Sequence, residues 1–233
     1  MIKVTRQEKI KKMIENRPAF AEATARQSPP TSAISARQSK IQRMIENRQE
    51  GVIVLENIAD PHNAAAVWRT ADAFGFQKIY LVYSKEKVIN PKKNGKAASS
   101  SANKWLSFKI FKNIDECYAE LKKDGYQIYA TVLDKEAKSL QSSIFKLHKI
   151  ALVFGNEHRG LSKEAIKGAD EKIYIPMKGM VQSLNISVTA AIFMYEVDRQ
   201  RSASAKSYGE TKNDFKLGKK EKKKLMDEYR WPR

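Results

Sequence analysis

Apolar residues recur along the chain in two spacings that alternate. Continuous apolar runs at 51–57 (GVIVLEN), 78–82 (KIYLV), 126–133 (YQIYATVL) and 150–154 (IALVF) have the length and branched content of buried strands. Shorter runs at 105–111 and 173–175 read the same way, the latter ended by Pro176, which cannot donate to a ladder. Between them lie helical signatures. Asp60–Pro61 opens one helix and Gly75 closes it; Asn113 caps another, with Glu116 three residues on and Gly125 stopping it. Ser162 caps a short third helix, and a fourth runs over 186–198, apolar on most faces and so expected to be buried. This alternation predicts an α/β domain with a mostly parallel sheet and helices on both faces. A polar turn is expected at Asp134–Lys138, and a long loop at 84–104, rich in Gly, Ser and Lys.

The ends follow a different pattern. Residues 6–17 (RQEKIKKMIENR) and 37–48 (RQSKIQRMIENR) are near-copies, each with Ile, Met and Ile at helical spacing. The stretch between them, broken by Pro29–Pro30, reads as a linker. The chain therefore divides into a basic arm and linker at 1–36, a domain at 37–201, and a lysine-rich tail at 202–233 with a helix near 213–229. A recent duplication without a separate role is the alternative reading of the first helix.

Charge sharpens this division. Of a net +18, residues 1–50 carry 11 Lys/Arg against 5 Asp/Glu and residues 199–233 carry 12 against 5, so the flanks hold most of the excess. A near-neutral core between basic arms fits a polyanion partner such as nucleic acid. One cysteine, Cys117, excludes an intrachain disulfide and a cysteine metal cluster, and it fits a reducing, cytoplasmic setting. No apolar run approaches the ~18 residues of a membrane span, and the N-terminus has no secretory apolar core.

The candidate chemistry sits in loops. GNEHRG (155–160) follows a strand directly, at the end where ligands of open α/β sheets bind. It is neither GxGxxG nor a P-loop, which argues against dinucleotide and nucleoside triphosphate reactions. The loop 176–185 gathers Gly179, Gln182, Ser183 and Asn185 between two buried elements. Each signal has a plainer reading. Asn63 could cap a helix, Arg69 could pair with Asp72, and Glu157 with Arg159. Ser183 and Asn185 could cap the helix that follows. His62, His148 and His158 are scattered without metal-ligand spacing, so no metal is expected.

Order and joint spacing say more than any one motif. Asn63 and Arg69 with Gly75 after them, then FGNEHRGLS at 154–162, then IPMKGMVQSLNISV at 175–188, resemble the three motifs of the SPOUT superfamily. They are most similar to the SpoU/TrmH family of RNA ribose 2′-O-methyltransferases, and within it to the branch acting on guanosine 18 of tRNA. The resemblance covers roughly 37–201. It implies a deep trefoil knot formed by 150–162 and 172–198, a homodimer, and S-adenosylmethionine held among Thr131, Leu133, Gly155, Asn156, Ile175, Met177 and Leu184. It implies Arg69 at the ribose hydroxyl, with Asn63, Glu157, Ser183 and Asn185 ordering the site. An arginine base is awkward at a pKa above about 12; Arg69 could instead orient a phosphate and stabilise the developing alkoxide. Methylation of ribosomal RNA, or a catalytically silent RNA-binding knot protein, are the alternatives to tRNA modification.

Overall fold

A computed structural model describes residues 31–91, 102–134, 136–207 and 214–229. The expected helix at 6–17 and the stretch 92–101 lie outside the described residues. Contacts divide the chain into two units, Met1–Ser39 and Lys40–Arg233. The described part of the first is the opening of helix α1 (Thr31–Glu46), and the account below concerns the second.

Seven strands form one sheet, every pair parallel: β1 (Gln49–Glu56), β2 (Phe76–Val82), β3 (Ser107–Phe111), β4 (Gln127–Thr131), β5 (Lys138–Ser139), β6 (Ile150–Phe154) and β7 (Glu171–Tyr174). Their order is β3-β2-β1-β6-β4-β7-β5. The helices are α2 (Pro61–Ala73), α3 (Ile114–Lys123), α4 (Lys163–Gly168), α5 (Ile186–Ser207) and α6 (Lys219–Tyr229).

The period of two along each strand sorts the core into two layers. Ile53, Leu55, Leu152 and Phe154 share one cluster with Trp68 of α2 and Phe193 of α5. Their neighbours Val52, Val54, Ala151 and Val153 share the other with Leu121 of α3 and Ala165 of α4. Being covered on both faces is why β1 and β6 read as unbroken apolar runs rather than alternating ones.

Several boundaries differ from expectation. Helix α1 begins at Thr31, inside the expected linker. The residues from Thr31 on, Ala and Ile among them, tolerate a helix, so their linker-like composition does not forbid one. The expected strands 105–111 and 126–133 contract to Ser107–Phe111 and Gln127–Thr131, and that at 173–175 shifts to Glu171–Tyr174, leaving Ile175 outside. The polar turn expected to close at Lys138 instead opens β5 there, a two-residue edge strand too short to show a period. Helix α5 continues nine residues past 198, to Ser207. It is buried along Ala190, Phe193, Met194 and Val197, but Val188 and Tyr195 are about half exposed, at 46% and 58%, so it is not buried all round.

The lysine-rich C-terminal segment packs against the domain. Leu217, Leu225 and Tyr229 join Ile41 and Ile45 in a third apolar cluster. Tyr229 Oη accepts from Gln77 Nε2 at 3.2 Å, and Lys78 pairs with Glu221 at 2.7 Å.

Arg201, 3% exposed, ties α5 to the amino ends of the strands. Its guanidinium donates to Leu147 O, Gln49 Oε1 and Glu50 O at 2.6–3.0 Å and lies between the rings of Phe76 and Phe215. Burial pulls its pKa down to about 10, against the opposing influence of Glu50 and Asp198. Arg201→Met keeps the length but removes the donors to the part-buried carbonyls of Leu147 and Glu50 and to Gln49, an expected loss on the order of 3 kcal/mol. Urea unfolding checks this, and a loss below about 1 kcal/mol would remove Arg201 from the role.

Candidate active site

Strand β6 ends in a loop whose backbone closes on itself. Asn156 N–H donates to Gly160 O at 3.0 Å, and Gly160 N–H returns to Asn156 O at 2.9 Å. Gly155 makes this possible: a Cβ there would overlap the backbone of Gly160 and Leu161. The Asn156 side chain is used internally. Its Oδ1 accepts from the N–H groups of His158 and Arg159, and its Nδ2 donates to Asn57 O at 2.7 Å. What Asn156 offers the adjoining space is therefore backbone. At the far end of the loop, buried Glu56 accepts from Ser162 N–H at 2.9 Å and Ser162 Oγ at 2.6 Å, while Ser162 Oγ also accepts from Ala165 N–H as the cap of α4.

Glu157 points from this loop to the start of α2. Its carboxylate accepts from Ala59 N–H at 3.1 Å, Asp60 N–H at 3.2 Å and Asn63 Nδ2 at 3.0 Å. Burial works against its charge, but the bonds from Asn63 and the backbone prevail and hold its pKa below the usual carboxylate value. The carboxylate therefore stays ionised through the neutral range, and this stabilisation is lost only as pH falls below the usual carboxylate range.

Asn63 has a second bond. Its Oδ1 accepts from Asn185 Nδ2 at 3.0 Å, and Asn185 Oδ1 accepts from Ser187 N–H at 2.8 Å and Ser187 Oγ at 2.7 Å. One asparagine thus joins a residue 94 positions onward to another 122 positions onward. Asp60, not Asn63, caps α2, by accepting from His62 N–H. Asn185 does bond the start of the helix after it, as its plainer reading has it, and it reaches Asn63 as well. The other plain readings fail: Asp72 pairs with Arg48 at 2.6 Å, and Arg159 pairs with Glu86.

These loops enclose a cavity of about 890 Å³ at the carboxyl ends of β4, β6 and β7. It is lined by every expected site residue except one: Asn63, Thr131, Leu133, Gly155, Asn156, Glu157, Ile175, Met177, Ser183, Leu184 and Asn185. Leu133, 64% exposed, leaves an apolar side chain at its edge. Thr131 Oγ is turned into the sheet, donating to Val153 O at 2.9 Å. Ser183 is exposed and unbonded among the described residues.

Arg69 is the exception. Six residues along α2 turn it about 120° away from Asn63. It is exposed, outside the cavity lining, and without a hydrogen-bond or ion-pair partner among the described residues. Thr189 also lines the cavity and was not singled out from sequence, although it lies one turn into α5, where its N–H donates to Asn185 O at 2.9 Å. Among the described residues, no group of His, Cys, Asp and Glu could hold a metal ion, and no helix is long and apolar enough to cross a membrane.

Known proteins resemble this chain in sequence and fold. Residues 50–195 match the SpoU rRNA Methylase family. A tRNA (guanosine(18)-2′-O)-methyltransferase of Thermus thermophilus is 38% identical over 149 residues, 64% of this chain and 74% of that protein. The protein of that name from Escherichia coli is 36% identical, over 64% of this chain and 63% of its own length. The crystal structure of the A. aeolicus TrmH/SpoU tRNA modifying enzyme superposes with a TM-score of 0.72 at 31% identity, covering 85% of this chain and 96% of that one. The matched stretch spans Asn63, Glu157 and Asn185, and the chain belongs to the SpoU methylase family.

Proposed function

We propose that the protein transfers a methyl group from S-adenosylmethionine to the 2′-hydroxyl of guanosine 18 in tRNA. The observation that carries this reading is the bonded chain Glu157–Asn63–Asn185, which brings the three motif loops to one cavity. Membership of the family and the printed activity of the T. thermophilus and E. coli relatives supply the reaction.

The cavity suits the cofactor. Its volume falls within the ~300–1,000 Å³ of ligand pockets, and its walls mix apolar side chains with strand-end backbone. Thr131, Leu133, Gly155, Asn156, Ile175, Met177 and Leu184 would surround its adenosine and methionine parts, largely through backbone groups. When bound, S-adenosylmethionine supplies an electrophilic methyl on a sulfonium. The chain's own part is to order the ribose and deal with its hydroxyl proton. Asn63 is held by bonds to both of its amide atoms, and exposed Ser183 and Asn185 flank it at the cavity. Arg69, unpaired among the described residues, is available to a substrate phosphate or to the developing alkoxide.

Two structural features belong to the same reading. Segments 150–162 and 172–198 form a trefoil knot; family membership supports it, as does β6 lying beside β1 although β2 to β5 separate the two along the chain. A second copy covers the apolar surface of α5 and the preceding loop, where Val188, Tyr195, Val181 and fully exposed Met180 stand. The basic flanks track tRNA phosphates without reading sequence. Deleting residues 1–30 removes seven Lys/Arg. The expected result is weaker tRNA binding with a salt slope shallower by about 1 or more. An unchanged slope would take the arm out of RNA binding.

A tRNA transcript carrying 2′-deoxyguanosine only at position 18 tests the reaction. It accepts no methyl group while the all-ribose transcript accepts one. Equal methylation of both would reject the assignment.

A further inference from the structure

One residue beside the cavity is held in an uncommon backbone conformation. Asn57, at the end of β1, has φ +52 and is the one non-glycine residue with positive φ among the described residues. It is 5% exposed. Its side chain captures the turn that follows β2: Oδ1 accepts from the N–H groups of Ser84 and Lys85 at 2.9 Å and of Glu86 at 3.4 Å, and Nδ2 donates to Ser84 Oγ at 3.0 Å. Its carbonyl accepts from Asn156 Nδ2 at 2.7 Å. The turn then reaches back, since Glu86 pairs with Arg159, whose N–H is bonded by Asn156.

These bonds close a ring that runs Asn57, Glu86, Arg159, Asn156 and back to Asn57. It fixes the turn at 84–86 against the loop that lines the cavity. Arg159 lines the cavity edge, and Lys85, Lys87 and Arg159 are exposed. The geometry points to Asn57 as a positioning residue for RNA: it fixes a cationic edge, Lys85–Lys87–Arg159, at the mouth of the cofactor cavity, where substrate phosphates approach. This rests on the RNA-methylation reading and adds a residue outside its motifs.

The division of labour within Asn57 makes a clean test. Asn57→Gly accepts positive φ and keeps the carbonyl bond to Asn156, losing only the capture of the turn. Asn57→Asp tolerates the same φ and keeps the acceptor. The experiment measures tRNA affinity, S-adenosylmethionine affinity and methylation kinetics for the wild type and both variants. Asn57→Gly is expected to weaken tRNA binding and raise the KM for tRNA about tenfold, with kcat and S-adenosylmethionine affinity within about twofold. Asn57→Asp is expected to restore tRNA affinity to within about threefold of the wild type. Wild-type tRNA affinity in Asn57→Gly, or a parallel loss of S-adenosylmethionine binding, overturns the proposal. The affinity comparison decides it even if the wild type methylates no tRNA, a result that would instead reject the reaction.

Discussion

Arg69→Lys is expected to lower methyl transfer by about a hundredfold or more while S-adenosylmethionine binding stays within about twofold. The charge survives this change, but the planar fork does not, and a fork is what holds a phosphate or a developing alkoxide at two points. Arg69 is a candidate because it stands exposed on α2 with no partner of its own among the described residues. Asp72, which its spacing suggested as a partner, belongs to buried Arg48. Because Arg69 does not line the cavity, its loss should leave cofactor affinity untouched. Single-turnover methylation alongside calorimetric titration separates the two quantities. Near-normal turnover by the lysine variant would remove Arg69 from the chemistry.

The second large effect is expected from Gly155→Ala, and it runs the other way. An added methyl has no room against the backbone of Gly160 and Leu161, and backbone cannot rotate aside as a side chain could. The loop must open, breaking the paired bonds between Asn156 and Gly160 and shifting Glu157 from Asn63. The sheet does not depend on this loop, so the protein should still fold, with a loss of about 1–3 kcal/mol. S-adenosylmethionine binding should fall by more than about tenfold. Calorimetry and thermal unfolding check both, and wild-type cofactor affinity in this variant would show that the loop does not shape the site.

Much of the fold is legible in the residues because burial on both faces leaves a plain mark. Val52–Leu55 and Ile150–Phe154 are strands on apolar content alone, and the caps at Asn113 and Ser162 stand where their side chains accept. Strand β5 is illegible, because Lys138 and Ser139 show no period and owe their conformation to pairing with β7. Arg48 reads as one more basic residue after a surface helix, yet it is 1% exposed, since its partners Asp72 and Trp105 lie 24 and 57 residues away.

The site divides in the same way. The family resemblance picks out the residues lining the cavity, whereas local sequence leaves Asn63, Ser183 and Asn185 readable as helix caps. The bonds that make them meet are invisible locally, as no window along the chain holds Asn63, Glu157 and Asn185 together. Asn57 is hidden for a related reason: in sequence it is the end of an apolar run, and only its φ and its bonds to Ser84–Glu86 reveal a hub.

The central claim is that the joined loops carry a methyl group to a ribose oxygen at one nucleotide. Isotope-labelled S-adenosylmethionine, incubated with the purified protein and a mixture of unmodified tRNA and ribosomal RNA, tests it once the RNA is digested and the label mapped by mass spectrometry. The label should appear as 2′-O-methylguanosine at tRNA position 18. Label on a base, in ribosomal RNA alone, or nowhere would contradict the account.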